Sequence, residues 1–212
     1  MSITRRHFMG FGIAACAGVA LAGAGTLFPV TWFPRPPRAL AAGQFAARCM
    51  RCGACVQACP TWALAQRDLS LDFRHVGIPY IQARHGGCIA WNEGGCRICA
   101  DVCPSKALDP AAELTGLHVA VARFAEPDCT NCMVCLRICP IEHAVYFPNP
   151  KSETPWYRGQ ESGIPPALKV ANSPIKPIID EALCVGCGLC VAHCIPKIMH
   201  LAPWGEPAGV RQ

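Results

Sequence analysis

The sequence predicts an α+β fold, rich in loops and built from short βαβ-like repeats, with an N-terminal signal or anchor helix ahead of them. Three observations predict it. Seventeen cysteines and 20 prolines in 212 residues are incompatible with an ordinary apolar-core domain. Sixteen of the cysteines fall into four groups of nearly identical spacing, which is the signature of an internal repeat. The apolar run from Phe11 to Val30 is the only uncharged one approaching the roughly 18–20 residues that a membrane-spanning helix needs.

The N-terminal element is an address or an anchor. Arg5 and Arg6 are followed by Phe8-Met9 and then by the Gly/Ala-rich run, a pattern similar to a twin-arginine export signal. A protein that acquires metal in the cytoplasm must cross the membrane already folded, and that route carries folded cargo. Ala39-Leu40-Ala41 offers an A-x-A cleavage site behind Pro34-Arg35-Pro36-Pro37, which would start the mature chain near Ala42. Left uncleaved, the segment is a membrane tether. The seventeenth cysteine, Cys16, lies inside the apolar run and is no part of a lipoprotein box, because apolar residues continue beyond it.

The expected organisation is therefore residues 1–41 as signal or anchor and 42–212 as one domain carrying four cysteine motifs, at 45–68, 85–112, 126–147 and 181–202. The first is Cys49-x2-Cys52-x2-Cys55-x3-Cys59-Pro60 and the third Cys129-x2-Cys132-x2-Cys135-x3-Cys139-Pro140. The fourth is Cys184-x2-Cys187-x2-Cys190-x3-Cys194, with its proline, Pro196, one place late. The second departs: Cys88-x7-Cys96-x2-Cys99-x3-Cys103-Pro104. A phrase predicting a helical turn running into a strand follows each motif, at Trp62-Ala63-Leu64, Lys106-Ala107-Leu108, His143–Phe147 and Ile198–Leu201. Strands are expected at Leu117–Phe124 and Pro177–Ile179, and the Pro-rich stretch 148–177 is expected as a loop.

Spacing also decides the chemistry. Disulfide frameworks scatter single cysteines over opposed segments, and structural zinc prefers two CxxC pairs a dozen or more residues apart. Three closely spaced thiolates plus a distant fourth are the ligand pattern of [4Fe–4S] clusters, the fourth serving the neighbouring cluster. Four such motifs imply four [4Fe–4S] clusters on sixteen cysteines. The fourth cysteine of each motif is expected to open a short helix, its proline suiting the first turn.

Each repeat resembles half of a bacterial two-cluster ferredoxin, so the four imply two 2[4Fe–4S] modules over about residues 45–202. Two pairings are open. Tandem pairing joins motifs one with two and three with four. Nested pairing, implied by a resemblance to the iron–sulfur subunits of molybdenum oxidoreductases, joins one with four and two with three. In it, Cys194 completes the set of Cys49, Cys52 and Cys55, and Cys59 that of Cys184, Cys187 and Cys190. Cys139 then joins Cys88, Cys96 and Cys99, and Cys103 joins Cys129, Cys132 and Cys135.

The twin-arginine start, Cys52-Gly53-Ala54-Cys55-Val56-Gln57-Ala58-Cys59-Pro60, and Gly77-Ile78-Pro79-Tyr80-Ile81-Gln82-Ala83-Arg84 leading to Cys103-Pro104-Ser105-Lys106-Ala107-Leu108 are similar to the ferredoxin-type proteins of the NapG/MauM group. That resemblance implies a periplasmic electron relay between a membrane quinol-oxidising protein and a terminal redox enzyme or cytochrome, delivered by the twin-arginine translocase. The family's second motif usually opens with CxxC, and Cys88 here stands alone.

Composition limits other roles. The formal charge of +5 includes four arginines and no acid in residues 1–41, and ligation removes the thiol protons, so the loaded domain is expected to be acidic and to have no nucleic-acid partner. No nucleophile elbow, phosphate loop or dinucleotide fingerprint is present, which predicts a carrier rather than an enzyme, alone or as a subunit of an oxidoreductase complex. A maturation or cluster-delivery factor is the alternative of another class. Arg51, Arg97 and Arg137 are candidates to stabilise anionic clusters. His85, Trp91, His143 and His193 read as packing residues, and Trp156-Tyr157-Arg158 as an interface anchor or part of a linker.

Overall fold

A computed structural model describes residues 32–69 and 75–204. The twin-arginine segment, the apolar run and Cys16 lie outside the described residues. No helix among those described is long and apolar enough to cross a membrane.

Four very short helices repeat at one place in each motif: α2 (Ala54–Gln57), α3 (Ile98–Asp101), α4 (Val134–Ile138) and α5 (Leu189–His193), after a separate α1 (Ala42–Arg48). Each of the four carries the third cysteine of its motif at its second position, namely Cys55, Cys99, Cys135 and Cys190. The fourth cysteine therefore closes the helix instead of opening it: Cys139 and Cys194 are C-caps with extended backbone, φ −63°, ψ 122° and φ −62°, ψ 117°. For Cys139 the reason is Pro140, whose ring disfavours helical backbone in the residue before it.

The strands form three two-stranded antiparallel sheets. In the second half β3 (Val121–Phe124) pairs with β6 (Met199–Ala202), and β4 (Val145–Tyr146) with β5 (Ile178–Ile179). In the first half β1 (Leu64–Gln66) pairs with β2 (Pro79–Ile81) in the place of β4 and β5. The counterpart of the outer β3–β6 pair has shrunk to a single bridge between Ala39 and Leu108. The strand expected after Lys106 is thus only that bridge, and those expected at 117–124 and 177–179 are shorter than their hydrophobic runs.

Within each half two motif helices pack on one another, α2 on α3 and α4 on α5, so the repeats associate in tandem. One core holds Phe45, Leu64, Ile78, Ile81 and Leu108, and a second holds Met133, Leu136, Val145, Phe147 and Ile164. Each such side chain contributes about 2 kcal/mol by leaving water, a modest total for so many loops.

Residues 34–40, which the sequence assigns to the leader, belong to the first module. Ile81 donates its amide to Pro34 O at 2.8 Å, Leu40 to Ala107 O at 3.1 Å, and Asp109 to Arg38 O at 2.8 Å. Pro36 and Pro37 are fully buried. A proline-rich segment is stiff and extended, which is what an edge position accepts.

The Pro-rich stretch 148–177 is also more ordered than a linker. It folds back on the third motif: Trp156 pairs with Phe147 through amide-to-carbonyl bonds of 2.8 and 2.9 Å in both directions, and Tyr157 packs on His143 with ring centroids 4.3 Å apart.

Candidate iron–sulfur sites

The cysteine loops owe their shape to left-handed backbone at matching positions. Two residues after the first cysteine stand Arg51, Asn131 and Gly186 (φ 58°, 53° and 76°), and two further on Gly53, Met133 and Gly188 (φ 77°, 59° and 77°). Beyond the fourth cysteine come Trp62, Lys106, His143 and Lys197, with φ between 53° and 63°. Alternating right- and left-handed residues turn successive N–H groups into one concavity, a common cradle for anions and for iron–sulfur clusters. Each non-glycine residue held so costs about 1 kcal/mol or more, and that strain collects around the cysteines.

The structure gathers the sixteen cysteines into four sets of four. Cys49, Cys52, Cys55 and Cys103 line one small pocket (site A). Cys139, Cys184, Cys187 and Cys190 line a second (site C), and Cys129, Cys132, Cys135 and Cys194 a third (site D). The remaining four, Cys59, Cys88, Cys96 and Cys99 (site B), lie near one another: burial first, then the neighbouring Cys96 and Cys59, bring the Cys99 thiol up to about 11. Burial likewise pushes Cys88 up to about 12, with Cys99, Cys187 and Cys59 adding repulsion.

Nested pairing is therefore corrected to tandem. Cys103, not Cys194, stands with the first triad; Cys59, not Cys139, with the second; Cys194, not Cys103, with the third; Cys139, not Cys59, with the fourth. The physical reason is the α2–α3 and α4–α5 packing, which brings the end of each helix over its neighbour's loop. The isolated Cys88 joins its set in spite of the long gap behind it.

The donor sets fit a cubic cluster. All sixteen cysteines are free thiols. Among the described residues no three potential ligands converge on a point as a single ion would require; in sites A, C and D they line a pocket instead. Burial pushes Cys55, Cys135 and Cys187 to about 12, with neighbouring thiols adding to the effect. Sets of thiolates so buried are untenable without a positively charged core between them. Cys103 is the exception: despite its burial, the amides of Leu108, Ala107 and Ser105 and the Ser105 hydroxyl draw its thiol below its usual value.

Several supporting residues were not legible in the sequence. Asn131, 1% exposed, donates through Nδ2 to Leu168 O at 3.0 Å and Ile175 O at 2.7 Å. Lys176 Nζ donates to Cys129 O at 2.7 Å and Arg158 to Cys139 O at 2.8 Å. His118 Nδ1 meets Cys184 O at 2.9 Å and stacks on Trp204. Of the arginines singled out within the motifs, Arg97, the N-cap of α3, pairs with Asp101 of that helix at 3.3 Å and Arg137 is exposed. His193 bonds Leu189 O within α5 at 3.0 Å, a structural role. Trp91 packs with Val185, Cys187 and Leu189.

Comparison with known proteins agrees with this geometry. A family described as the 4Fe-4S dicluster domain matches residues 48–107 and 128–198, one match per module. The methylamine utilization ferredoxin-type protein MauM of Paracoccus denitrificans is 31% identical over 208 residues, covering 91% of this chain and 84% of that protein. The ferredoxin-type protein NapG of Escherichia coli is 33% identical over 169 residues, covering 76% of this chain and 65% of that protein. MauM of Methylophilus methylotrophus is 33% identical over 174 residues, 76% of this chain and 66% of that one. The chain belongs to the MauM and NapG group of ferredoxin-type proteins, and it is an electron-transfer protein that carries [4Fe–4S] clusters.

Proposed function

We propose that this protein holds four [4Fe–4S] clusters, one in each of sites A to D, and relays electrons through them without a substrate site of its own. The supporting observation is the gathering of sixteen thiols into four equivalent sets. Bound there, the clusters supply reversible one-electron chemistry. The protein's part is to hold the thiolates, exclude water and present N–H groups to sulfur. Anaerobically purified protein should contain about sixteen iron and sixteen acid-labile sulfides per chain, from four cubic clusters. Metal and sulfide analysis checks this; about eight iron would leave only one module loaded, and zinc would overturn the class.

We propose that the relay works in the periplasm, between a membrane quinol-oxidising partner and a terminal reductase, dehydrogenase or cytochrome; the twin-arginine-like start and the likeness to ferredoxin-type proteins named for methylamine utilization and to NapG support this reading. Arg5 and Arg6 would be its export address. Replacing both by lysine should leave loaded protein in the cytoplasm, since a receptor reads the arginines themselves. Unchanged periplasmic delivery on fractionation would remove that assignment.

A further inference from the structure

The four sites are not simply two independent pairs. Within each module the third cysteines sit on packed helices, Cys55 on α2 against Cys99 on α3, and Cys135 on α4 against Cys190 on α5. Sites A and B are thereby neighbours, as are D and C. Between modules two ligand residues are joined directly: Cys88 donates its amide to Cys187 O at 2.7 Å. One residue belongs to site B and the other to site C.

The sequence around Cys88 is shaped for that contact. A Cβ on the buried Gly87 would lie 2.3 Å from Leu189 N and 2.4 Å from its Cα, and one on Gly188 would lie 2.4 Å from the Ala83 Cβ. Gly87 thus answers a need for space, backbone lying against backbone. The irregular gap of the second motif serves the same end. Its Ile89 and Trp91 reach across to pack on Val185, Cys187 and Leu189 of the fourth motif, a cluster against which Ile138 and Ile141 of the third motif also pack. At the far end of the order, Cys52 of site A is the one exposed residue of the sixteen, beside the exposed Met50.

We propose that the Cys88 N–H···O=C Cys187 hydrogen bond, seated by Gly87 against Leu189, joins the four sites into one row, A–B–C–D, and is where an electron crosses between the modules. This rests on the reading that the sites hold clusters. One electron crossing there oxidises the cluster on one side by a single unit and reduces the other by the same, with no bond made or broken. The irregular second motif is then the coupling device of the chain: its first cysteine is at once a ligand of B and the contact to C.

The test uses the full loaded chain, reduced with dithionite and followed by low-temperature electron paramagnetic resonance, with the site-C signal assigned by its loss in Cys184→Ser. Iron is measured first, and fewer than sixteen per unaltered chain overturns the cluster reading itself. With sixteen present, Cys96→Ala, which empties site B, should slow the spin relaxation of the site-C signal several-fold, because a paramagnetic neighbour is gone. Cys52→Ala, which empties site A, should leave that signal unchanged. Equal effects of the two variants, or none from Cys96→Ala, overturn the row and leave the cluster reading standing. Gly87→Ala should weaken the B–C coupling at sixteen iron, with Gly43→Ala, whose Cβ meets nothing within 4 Å, as its control. Unchanged coupling in Gly87→Ala overturns the joint, and the cysteine variants decide the order whether or not that variant accumulates.

Discussion

The thiol of the crossover cysteine meets a hydroxyl two residues on in the first module only. Cys59 Sγ lies 3.7 Å from Thr61 Oγ1, and Cys103 Sγ 3.7 Å from Ser105 Oγ. The equivalent positions in the second module are Ile141 and Pro196, whose side chains carry no donor. Once a thiolate is bound to iron the hydroxyl can only donate, and a donor to sulfur stabilises the reduced, more negative cluster. The clusters at A and B should therefore titrate at higher potential than their backbones alone would set. Ser105→Ala should lower the potential of site A, and Thr61→Val that of site B. A hydrogen bond of about 1 kcal/mol corresponds to about 40 mV for one electron. Redox titration followed by electron paramagnetic resonance reads it; a shift at the second module's sites in place of the first's would contradict the tandem assignment as well.

At the scale of elements, the sequence showed the cysteine repeat plainly, because spacing is a one-dimensional property and cluster ligation demands it. It hid the pairing, since the same intervals serve tandem or nested partners and only the packing of α2 on α3 and α4 on α5 decides. It also hid the strained positions: Gly53, Gly186 and Gly188 advertise left-handed backbone, whereas Arg51, Trp62 and His143 do so equally in space with no mark in the sequence. The 148–177 stretch was legible as a loop, but what ties it down was hidden for a related reason. Prolines announce a loop but not its anchor, and the anchor is Asn131, inside the third motif. Asn131→Ala would leave the carbonyls of Leu168 and Ile175 without its amide, at a cost of about 1–3 kcal/mol. Hydrogen exchange should rise across 165–177 first, with iron then lost more readily from site D than from site A. Uniform exchange throughout the chain would show that Asn131 does not tie the loop down.

The whole molecule turns on where the folded unit begins. The A-x-A site that would start a mature chain at Ala42 is, in the fold, a strand edge: Ala39 bridges Leu108, Leu40 bonds Ala107, and the Arg38 guanidinium reaches the carbonyls of Pro110 and Ala112. Upstream, Phe33 packs on the first core and lies under the buried Arg67, 4.4 Å from guanidinium carbon to ring centroid. Together these give the first module the outer edge that β3 and β6 give the second. Removal of residues 1–41 would strip several backbone bonds and the burial of Phe33, Pro36 and Pro37, about 3–5 kcal/mol in all. A protein exported already folded would also present the site paired, and a peptidase needs an extended, unpaired strand. If the protein is exported as proposed, its mature N-terminus is expected not to be Ala42, which N-terminal sequencing of the periplasmic or membrane fraction reads directly. A chain begun at Ala42 should also lose the absorbance of sites A and B about 10 °C below one begun at Trp32. Equal thermal stability of the two chains, with Ala42 found at the exported N-terminus, would mean that the segment is a leader after all and that the first module stands without its edge.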